Sequence, residues 1–220
     1  MKKHYKITLA LIATAAVVAG CATHGSTSSP AELDKMTAAI VKSTFSDKGI
    51  VKTSVLDTDE TLKACSAADV AGKPLDDKTA KALEAVNFKT IKWPANDKYL
   101  GDWKAGEKLA QNGRGLTWTD KADTPNGANC YNCHQISKQE ISFGTIGPSL
   151  YNYRKTHGVP DPNGPVPKDI LMYTWGKIWN AKAYNACSNM PRAGHMGILT
   201  EAQVADVVAL LLDPKSPANQ

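Results

Sequence analysis

The alternation of apolar and polar positions predicts helices along most of the chain. The run Ser29-Pro30-Ala31-Glu32 is typical of a helix start, because Ser is a favoured N-cap and Glu three positions later completes a capping box. The apolar positions that follow share one face of that helix: Leu33, Met36 and Ile40. Further helices are predicted at 58–67 and 77–87, after a β-prone piece at 50–55.

The C-terminal half carries two clear helix signals. Asp102 is predicted to be the N-cap of a helix that contains Gly106, a small residue that permits close approach by another helix. The run 200–203 has the capping-box pattern and predicts a last helix with Asp206 and Asp213 on its polar side. The apolar side of this last helix has helical spacing: Val204, Val207, Val208 and Leu211.

Residues 1–20 are typical of a secretory signal peptide. Three lysines precede an apolar stretch of 14 residues, which is too short to span a bilayer. The net charge of the whole chain is +5, and it falls to +2 without these residues, whose charged side chains are the three lysines. That small charge, with no basic aromatic patch, gives no reason to expect a nucleic-acid partner.

The end of this leader resembles a bacterial lipobox, Val18-Ala19-Gly20-Cys21. In such a sequence Cys21 becomes the lipidated N-terminus after cleavage, and Ala22 favours sorting to the outer membrane. The alternative is ordinary signal cleavage nearby, with Cys21 removed or left free. Residues 21–29 are rich in Thr, Ser and Gly, so we predict a flexible tether to the membrane.

The strongest chemical signal is the run Cys130-Tyr131-Asn132-Cys133-His134, whose spacing suits covalent attachment of one c-type haem. One helical turn brings both thiols to the same edge of a porphyrin, where each adds to one vinyl group, and it directs the following His toward the iron. The alternative is a zinc-binding or redox CxxC pair. That interpretation needs a second ligand pair or a thioredoxin-like βαβ pattern, and the sequence has neither.

The chain has five cysteines. If Cys21 takes lipid and Cys130 and Cys133 take haem, Cys65 and Cys187 remain as an even pair in an oxidising compartment. We therefore predict a Cys65–Cys187 disulfide. Two free thiols, or a bridge to another chain, are the alternatives.

Several segments around the haem motif resemble class I cytochromes c. In that family the first helix crosses the last helix at a small residue, which would be Gly106. The resemblance also implies that the Pro148 carbonyl accepts a hydrogen bond from His134 Nδ1, whereas Pro148 could otherwise be a plain turn proline. The Met190-Pro191 pair matches the loop that supplies the sixth iron ligand, so Met190 is the preferred ligand. The other candidates after the motif are His157, Met172, His195 and Met196.

A longer set of segments carries a second resemblance: 99–107, 144–150 and 175–192, with Gly194-His195, Gly197, Leu199-Thr200 and Asp213-Pro214. Together they are similar to the SoxX family, the monohaem cytochrome c subunit of the SoxAX complex of bacterial thiosulfate oxidation. The resemblance covers roughly residues 91–217. The surroundings of Cys65 resemble the N-terminal extension of longer members. Two features depart from the family: Ala193 stands where Phe is usual, and the lipobox is unusual.

This resemblance implies a mainly α fold, with a class I cytochrome c-like haem domain at 98–220 and a helical N-terminal extension at 30–97. SoxAX joins thiosulfate to a cysteine of the SoxYZ carrier and releases two electrons, an activity named L-cysteine S-thiosulfotransferase. The bond-making site belongs to the SoxA partner, so this chain would hold no catalytic residue and would pass electrons to a small cytochrome c. The expected location is the periplasm, with a lipid anchor in the outer membrane.

Two other functions remain open from the sequence. One is a free-standing periplasmic cytochrome c that shuttles electrons without a catalytic partner. The other is a haem peroxidase or sensor, which needs an open or labile distal site. Copurification with a SoxA-like protein and the response of the spectrum to carbon monoxide distinguish these possibilities.

Overall fold

The computed structural model describes residues 28–220. The predicted signal peptide, Cys21 and most of the predicted tether lie outside this range. The described residues contain seven α-helices, and no strand is present among them, so the predicted mainly α fold is confirmed. Within the same range, no helix is both long and apolar enough to cross a membrane.

The described residues form two compact units, one ending at Ser46 and the other running from Asp47 to Gln220. Helix α1 (Pro30–Thr44) belongs to the first unit and begins as predicted, because Ser29 and Glu32 form both hydrogen bonds of a capping box. The apolar face of α1 is more than half exposed, at 52%, 55% and 57% for Leu33, Met36 and Ile40.

The second unit begins with the helices α2 (Glu60–Val70) and α3 (Asp77–Phe88), each of which starts at an aspartate N-cap. These helices confirm the two predicted from the sequence. The β-prone interpretation of 50–55 is wrong. Lys48 and Val51 form an isolated β-bridge, and Thr53–Leu56 is a short 3-10 helix. The segment has the side chains of a strand, but no neighbouring strand in the described chain offers it a ladder of hydrogen bonds.

Four more helices complete this unit: α4 (Trp103–Gln111), α5 (Tyr153–Thr156), α6 (Lys168–Trp179) and α7 (Glu201–Leu212). Short 3-10 helices lie between and after them, at Ala95–Asp97, Cys130–Asn132, Ala181–Ala183 and Pro217–Asn219. Most of α7 is buried and forms the centre of the core together with Trp175 and Ile136. Residues 47–97 of the predicted extension share this unit with the C-terminal domain.

Helices α4 and α7 cross at Gly106, as the resemblance implies. A Cβ atom at this position would collide with the backbone carbonyl of Asp206, so only glycine allows the two backbones to approach this closely. Asp206 is more than a polar surface residue of α7. Its Oδ1 accepts a hydrogen bond from the backbone N–H of Asp102 at 2.8 Å, which holds the start of α4 against α7.

Candidate functional site

The two thiols and the imidazole of the haem motif lie on one tight turn. Cys130–Asn132 forms a 3-10 helix, and the backbone N–H of His134 donates to the carbonyl of Cys130 at 2.9 Å. Asn129 directly before it is left-handed, with φ 51°, a conformation that Asn tolerates better than most residues. Both motif cysteines are unpaired and half-buried. The turn therefore presents two thiols and one imidazole from five consecutive residues.

Backbone hydrogen bonds fix this turn against the end of α4. The N–H of Ala128 donates to the Leu109 carbonyl at 2.9 Å, and the N–H of Asn129 donates to the Asn112 carbonyl at 3.0 Å. Tyr131, inside the motif, is buried in the core. Although 112–129 is a long loop in sequence, its last residues are held by the helix that α7 crosses.

The imidazole of His134 has a fixed tautomer. Its Nδ1 lies 2.7 Å from the backbone carbonyl oxygen of Pro148. A carbonyl oxygen can only accept a hydrogen bond, so Nδ1 must carry the proton and Nε2 keeps a free lone pair. An imidazole held in this way is suited to bind a metal through Nε2. This is the contact that the resemblance assigns to Pro148.

The segment 144–150 runs beside the motif and supports the histidine. Backbone N–H groups of three of its residues donate to carbonyls of the motif region at 2.7–2.9 Å: Gly144 to Tyr131, Gly147 to Cys133 and Leu150 to Gln135. Gly147 packs directly on the imidazole, since a Cβ atom there would overlap the ring of His134. The absence of a side chain at position 147 therefore lets the Pro148 carbonyl reach Nδ1.

Replacing Gly147 by Ala should displace the His134 ring from the Pro148 carbonyl. We expect the free energy of unfolding to fall by about 1–3 kcal/mol, the usual cost of overpacking a close contact. A guanidinium titration followed by the haem absorbance measures this change. Ile146→Ala, at the exposed neighbouring position, is the control and should leave the midpoint nearly unchanged.

The state of Cys130 does not suit a redox CxxC pair. Burial raises the pKa of its thiol to about 12, whereas the attacking cysteine of a redox pair needs a lowered pKa. Residues 28–220 also contain no cluster of three or more His, Cys, Asp or Glu side chains arranged to hold a metal ion. The raised pKa of Cys130 therefore gives no support to the redox alternative for this motif.

Met190 occupies the loop between α6 and α7. It is half-buried and packs against the same hydrophobic core as Cys130. Its backbone N–H donates to Ser188 Oγ at 3.2 Å, so a hydrogen bond to the main chain fixes the loop at the residue that carries the sulfur. Burial among apolar side chains favours a thioether ligand, which needs no hydrogen bond of its own.

The other candidate ligands differ from Met190 in position or in surroundings. His157 stacks on Tyr153 with 3.7 Å between ring centroids, and its Nδ1 lies 3.0 Å from the Tyr153 carbonyl. Met196 is 48% exposed. Burial, followed by the nearby charge of Arg192, lowers the pKa of His195. Met172 packs against the core from α6.

A buried donor next to this loop fits a haem. The indole Nε1 of Trp179 is buried and has no hydrogen-bond partner within the described residues. Its ring lies against Gly194, and its backbone carbonyl accepts from the N–H of His195 at 3.0 Å, so Trp179 is adjacent to the methionine loop. A buried N–H without an acceptor costs about 1–3 kcal/mol. A haem brings its own carboxylate oxygens, which are acceptors of the required kind.

The predicted disulfide is present. Cys65 on α2 and Cys187 are joined with an S–S distance of 2.05 Å across 122 positions of sequence. In the structure the two cysteines are bonded to each other, in agreement with the prediction and not with either alternative. This bond attaches α2 to the methionine loop at Cys187, three residues before Met190.

Three further charged residues lie around the methionine loop, and no pattern in the sequence indicates them. Arg192 Nη1 forms an ion pair with Asp59 of the α2 N-cap, with 2.6 Å between nitrogen and oxygen. Lys182 is buried, and its Nζ donates to the carbonyls of Ala186 and Ser188 at 3.2 and 3.0 Å. A lysine after an aromatic run and an arginine after proline both look like surface residues, so only the fold reveals these contacts.

Comparison with known proteins agrees with this geometry. The cytochrome c family model matches residues 103–214 of the chain, which include α4, the CxxCH turn and α7. An uncharacterized lipoprotein of Aquifex aeolicus (strain VF5) is 35% identical over 165 residues, which are 74% of this chain and 73% of the relative. The chain belongs to the cytochrome c family, whose members are haem electron-transfer proteins.

Proposed function

We propose that this chain is the electron-accepting subunit of a SoxAX-type complex and carries a single haem c. The observation that carries the proposal is the position of the SoxX-like run 175–192. This run supplies the buried wall of α6, with Trp175 and Trp179 in the core, and continues directly into the loop that presents Met190. The residues that carry the resemblance are thus the residues that build one side of the site.

On this proposal Cys130 and Cys133 would hold the haem through thioethers, and His134 and Met190 would be its axial ligands. When bound, the haem supplies reversible one-electron chemistry between ferric and ferrous iron. The Pro148 carbonyl keeps the proton on His134 Nδ1, so that Nε2 stays available for the metal. A soft thioether favours the ferrous state and raises the reduction potential relative to a second histidine.

These properties suit a subunit that receives electrons. Joining thiosulfate to a carrier cysteine through a new sulfur–sulfur bond releases two electrons, which must leave one at a time through a monohaem protein. The two motif cysteines and the disulfide account for all four cysteines of residues 28–220, so no further thiol in this part of the chain is available for the bond-making step. We therefore assign that step to a SoxA-type partner and expect a small cytochrome c as the acceptor.

We also propose that Cys21 is lipidated and that the protein is anchored on the periplasmic side of the outer membrane. The support is the lipobox-like sequence, together with the name of the Aquifex aeolicus relative, which is a lipoprotein. The Thr-, Ser- and Gly-rich residues 21–29 would then separate the helical units from the membrane.

A reduction assay tests the assignment to SoxAX. The purified oxidised protein is mixed with thiosulfate, a SoxYZ-type carrier and a SoxA-type partner, and the appearance of the ferrous spectrum is followed. We expect rapid reduction when all components are present and none when partner or carrier is omitted. A chain that exchanges electrons with small cytochromes but stays oxidised in the complete mixture would instead be a free-standing shuttle.

A further inference from the structure

We infer that helix α2 is a two-point clamp that positions Met190, and that Asp59 and the Cys65–Cys187 disulfide are its two contacts. This inference rests on the proposed role of Met190 as an iron ligand. The two contacts lie on opposite sides of that residue in sequence, because Cys187 precedes it by three positions and Arg192, the partner of Asp59, follows it by two. Both contacts come from a helix outside the matched cytochrome c domain.

Asp59 is itself held in place from two directions. Its Oδ1 accepts the backbone N–H of Leu62 at 2.8 Å as the N-cap of α2, and its Oδ2 pairs with Arg192 at 2.6 Å. The Arg192 side chain is only 11% exposed, whereas that of Asp59 is 42% exposed, so solvent reaches the pair mainly from the carboxylate side. The orientation of the arginine after Met190-Pro191 is therefore set by the cap of α2.

Further hydrogen bonds make the support behind the loop rigid. Glu84 Oε1 of α3 accepts the backbone N–H of Ala186 at 3.2 Å. Asn87 of α3 donates to Thr61 of α2 at 2.9 Å and accepts from Asn180 at 3.1 Å. Because Thr61, Asn87 and Asn180 are buried, losing one of them would leave its partner unsatisfied. Helices α2 and α3 are thus joined to each other and to the chain that leads to Met190.

Such a clamp has a kinetic consequence for an axial methionine. The sulfur can leave the iron only when the loop opens, and a loop attached at both sides opens rarely. Releasing either contact should leave the fold intact and raise the fraction of time in which an external ligand replaces the sulfur. The relevant measurement is therefore the displacement of Met190 by imidazole in the ferric holoprotein.

The first test compares two neighbouring carboxylates of α2. Asp59→Asn keeps a good N-cap but removes the charge that pairs with Arg192. Glu60→Gln is the matched control, because Glu60 pairs only with exposed Lys63 on its own helix. We expect imidazole to displace the methionine roughly tenfold faster in D59N, equivalent to about 1.4 kcal/mol in loop opening. E60Q should behave like the wild type.

Two further variants separate positioning from general stability. Arg192→Lys keeps a cation at the pair and should restore most of the wild-type displacement rate, whereas Arg192→Gln should match D59N. Cys65→Ala combined with Cys187→Ala should give the larger acceleration, because it removes the covalent contact. All rates are compared at a temperature where circular dichroism shows every variant fully folded, so a change in rate reports local opening.

The outcomes distinguish this inference from the proposed ligation. If the near-infrared sulfur-to-iron band is absent from the wild type, or if Met190→Ala retains it, the ligand assignment fails. If that band depends on Met190 but D59N and the disulfide variant both exchange at the E60Q rate, the clamp is refuted and the ligation stands.

Discussion

Replacing Cys130 and Cys133 together by alanine is expected to abolish covalent haem attachment. Both thiols lie on the single turn that ends at His134, so no other pair in the described chain has the same relation to that imidazole. Haem staining of a denaturing gel measures the change directly, because only a thioether-bound haem survives denaturation. We expect the stain to disappear completely.

The two single variants test whether each thiol forms its own thioether. Cys130→Ala and Cys133→Ala should each keep one thioether and leave one vinyl group unsaturated, which shifts the pyridine haemochrome spectrum away from that of the wild type. The control is the double variant Cys65→Ala, Cys187→Ala, which removes the same number of thiols from the disulfide. It should stain as strongly as the wild type. Haem that remains bound after both motif thiols are removed would contradict the attachment site.

The second large effect is expected from Met190→Ala. Loss of the thioether should remove the weak near-infrared sulfur-to-iron band and lower the reduction potential by an amount on the order of 100 mV, since a soft ligand that favours ferrous iron is gone. Carbon monoxide should then bind the ferrous variant rapidly, because the sixth position is open. Absorption spectroscopy and a redox titration provide the measurements.

Met196→Ala is the matched control for this variant, since Met196 lies in the same loop and is 48% exposed. It should retain the band and the potential. A band that survives in Met190→Ala and disappears in Met196→Ala would transfer the ligand to the second methionine. A band that survives in both variants would indicate Met172, the remaining methionine among the candidate ligands.

Local signals predicted the helix boundaries well, because capping depends on residues three or four positions apart. Ser29 and Thr200 both form the capping boxes that their sequences indicate, and Asp102 caps α4 as expected. The resemblance added contacts that no local rule contains, such as the crossing of α4 and α7 at Gly106. The geometry between His134 and Pro148 matches what it implied.

Contacts between residues far apart in the sequence could not be predicted from local patterns. Arg154 is buried on the four-residue helix α5, where its guanidinium donates to the carbonyls of Leu212, Asp161 and Gly164. Nothing near Arg154 in sequence indicates that it caps the end of α7. The same holds for the pair of Asp59 and Arg192, which are 133 positions apart. A charged side chain resembles a surface residue until the fold supplies its partner.

Some apolar patterns were also ambiguous for a physical reason. The segment 50–55 has β-branched residues, but a strand is stable only beside another strand. Similarly, the spacing of Leu33, Met36 and Ile40 correctly indicates one face of α1, yet spacing does not determine what that face contacts. Sequence periodicity thus indicates which residues share the apolar face of an element. It does not indicate which part of the protein that face contacts.

The Cys65–Cys187 bridge encloses the haem motif, since Cys130 and Cys133 lie between its ends in sequence. Of the single disulfides that these four thiols could form before maturation, only Cys65–Cys187 is native. Once both motif thiols have become thioethers, they can no longer exchange, and a single intramolecular disulfide remains possible. Haem attachment would then favour the native disulfide, because it removes Cys130 and Cys133 from every competing cysteine pair within residues 28–220.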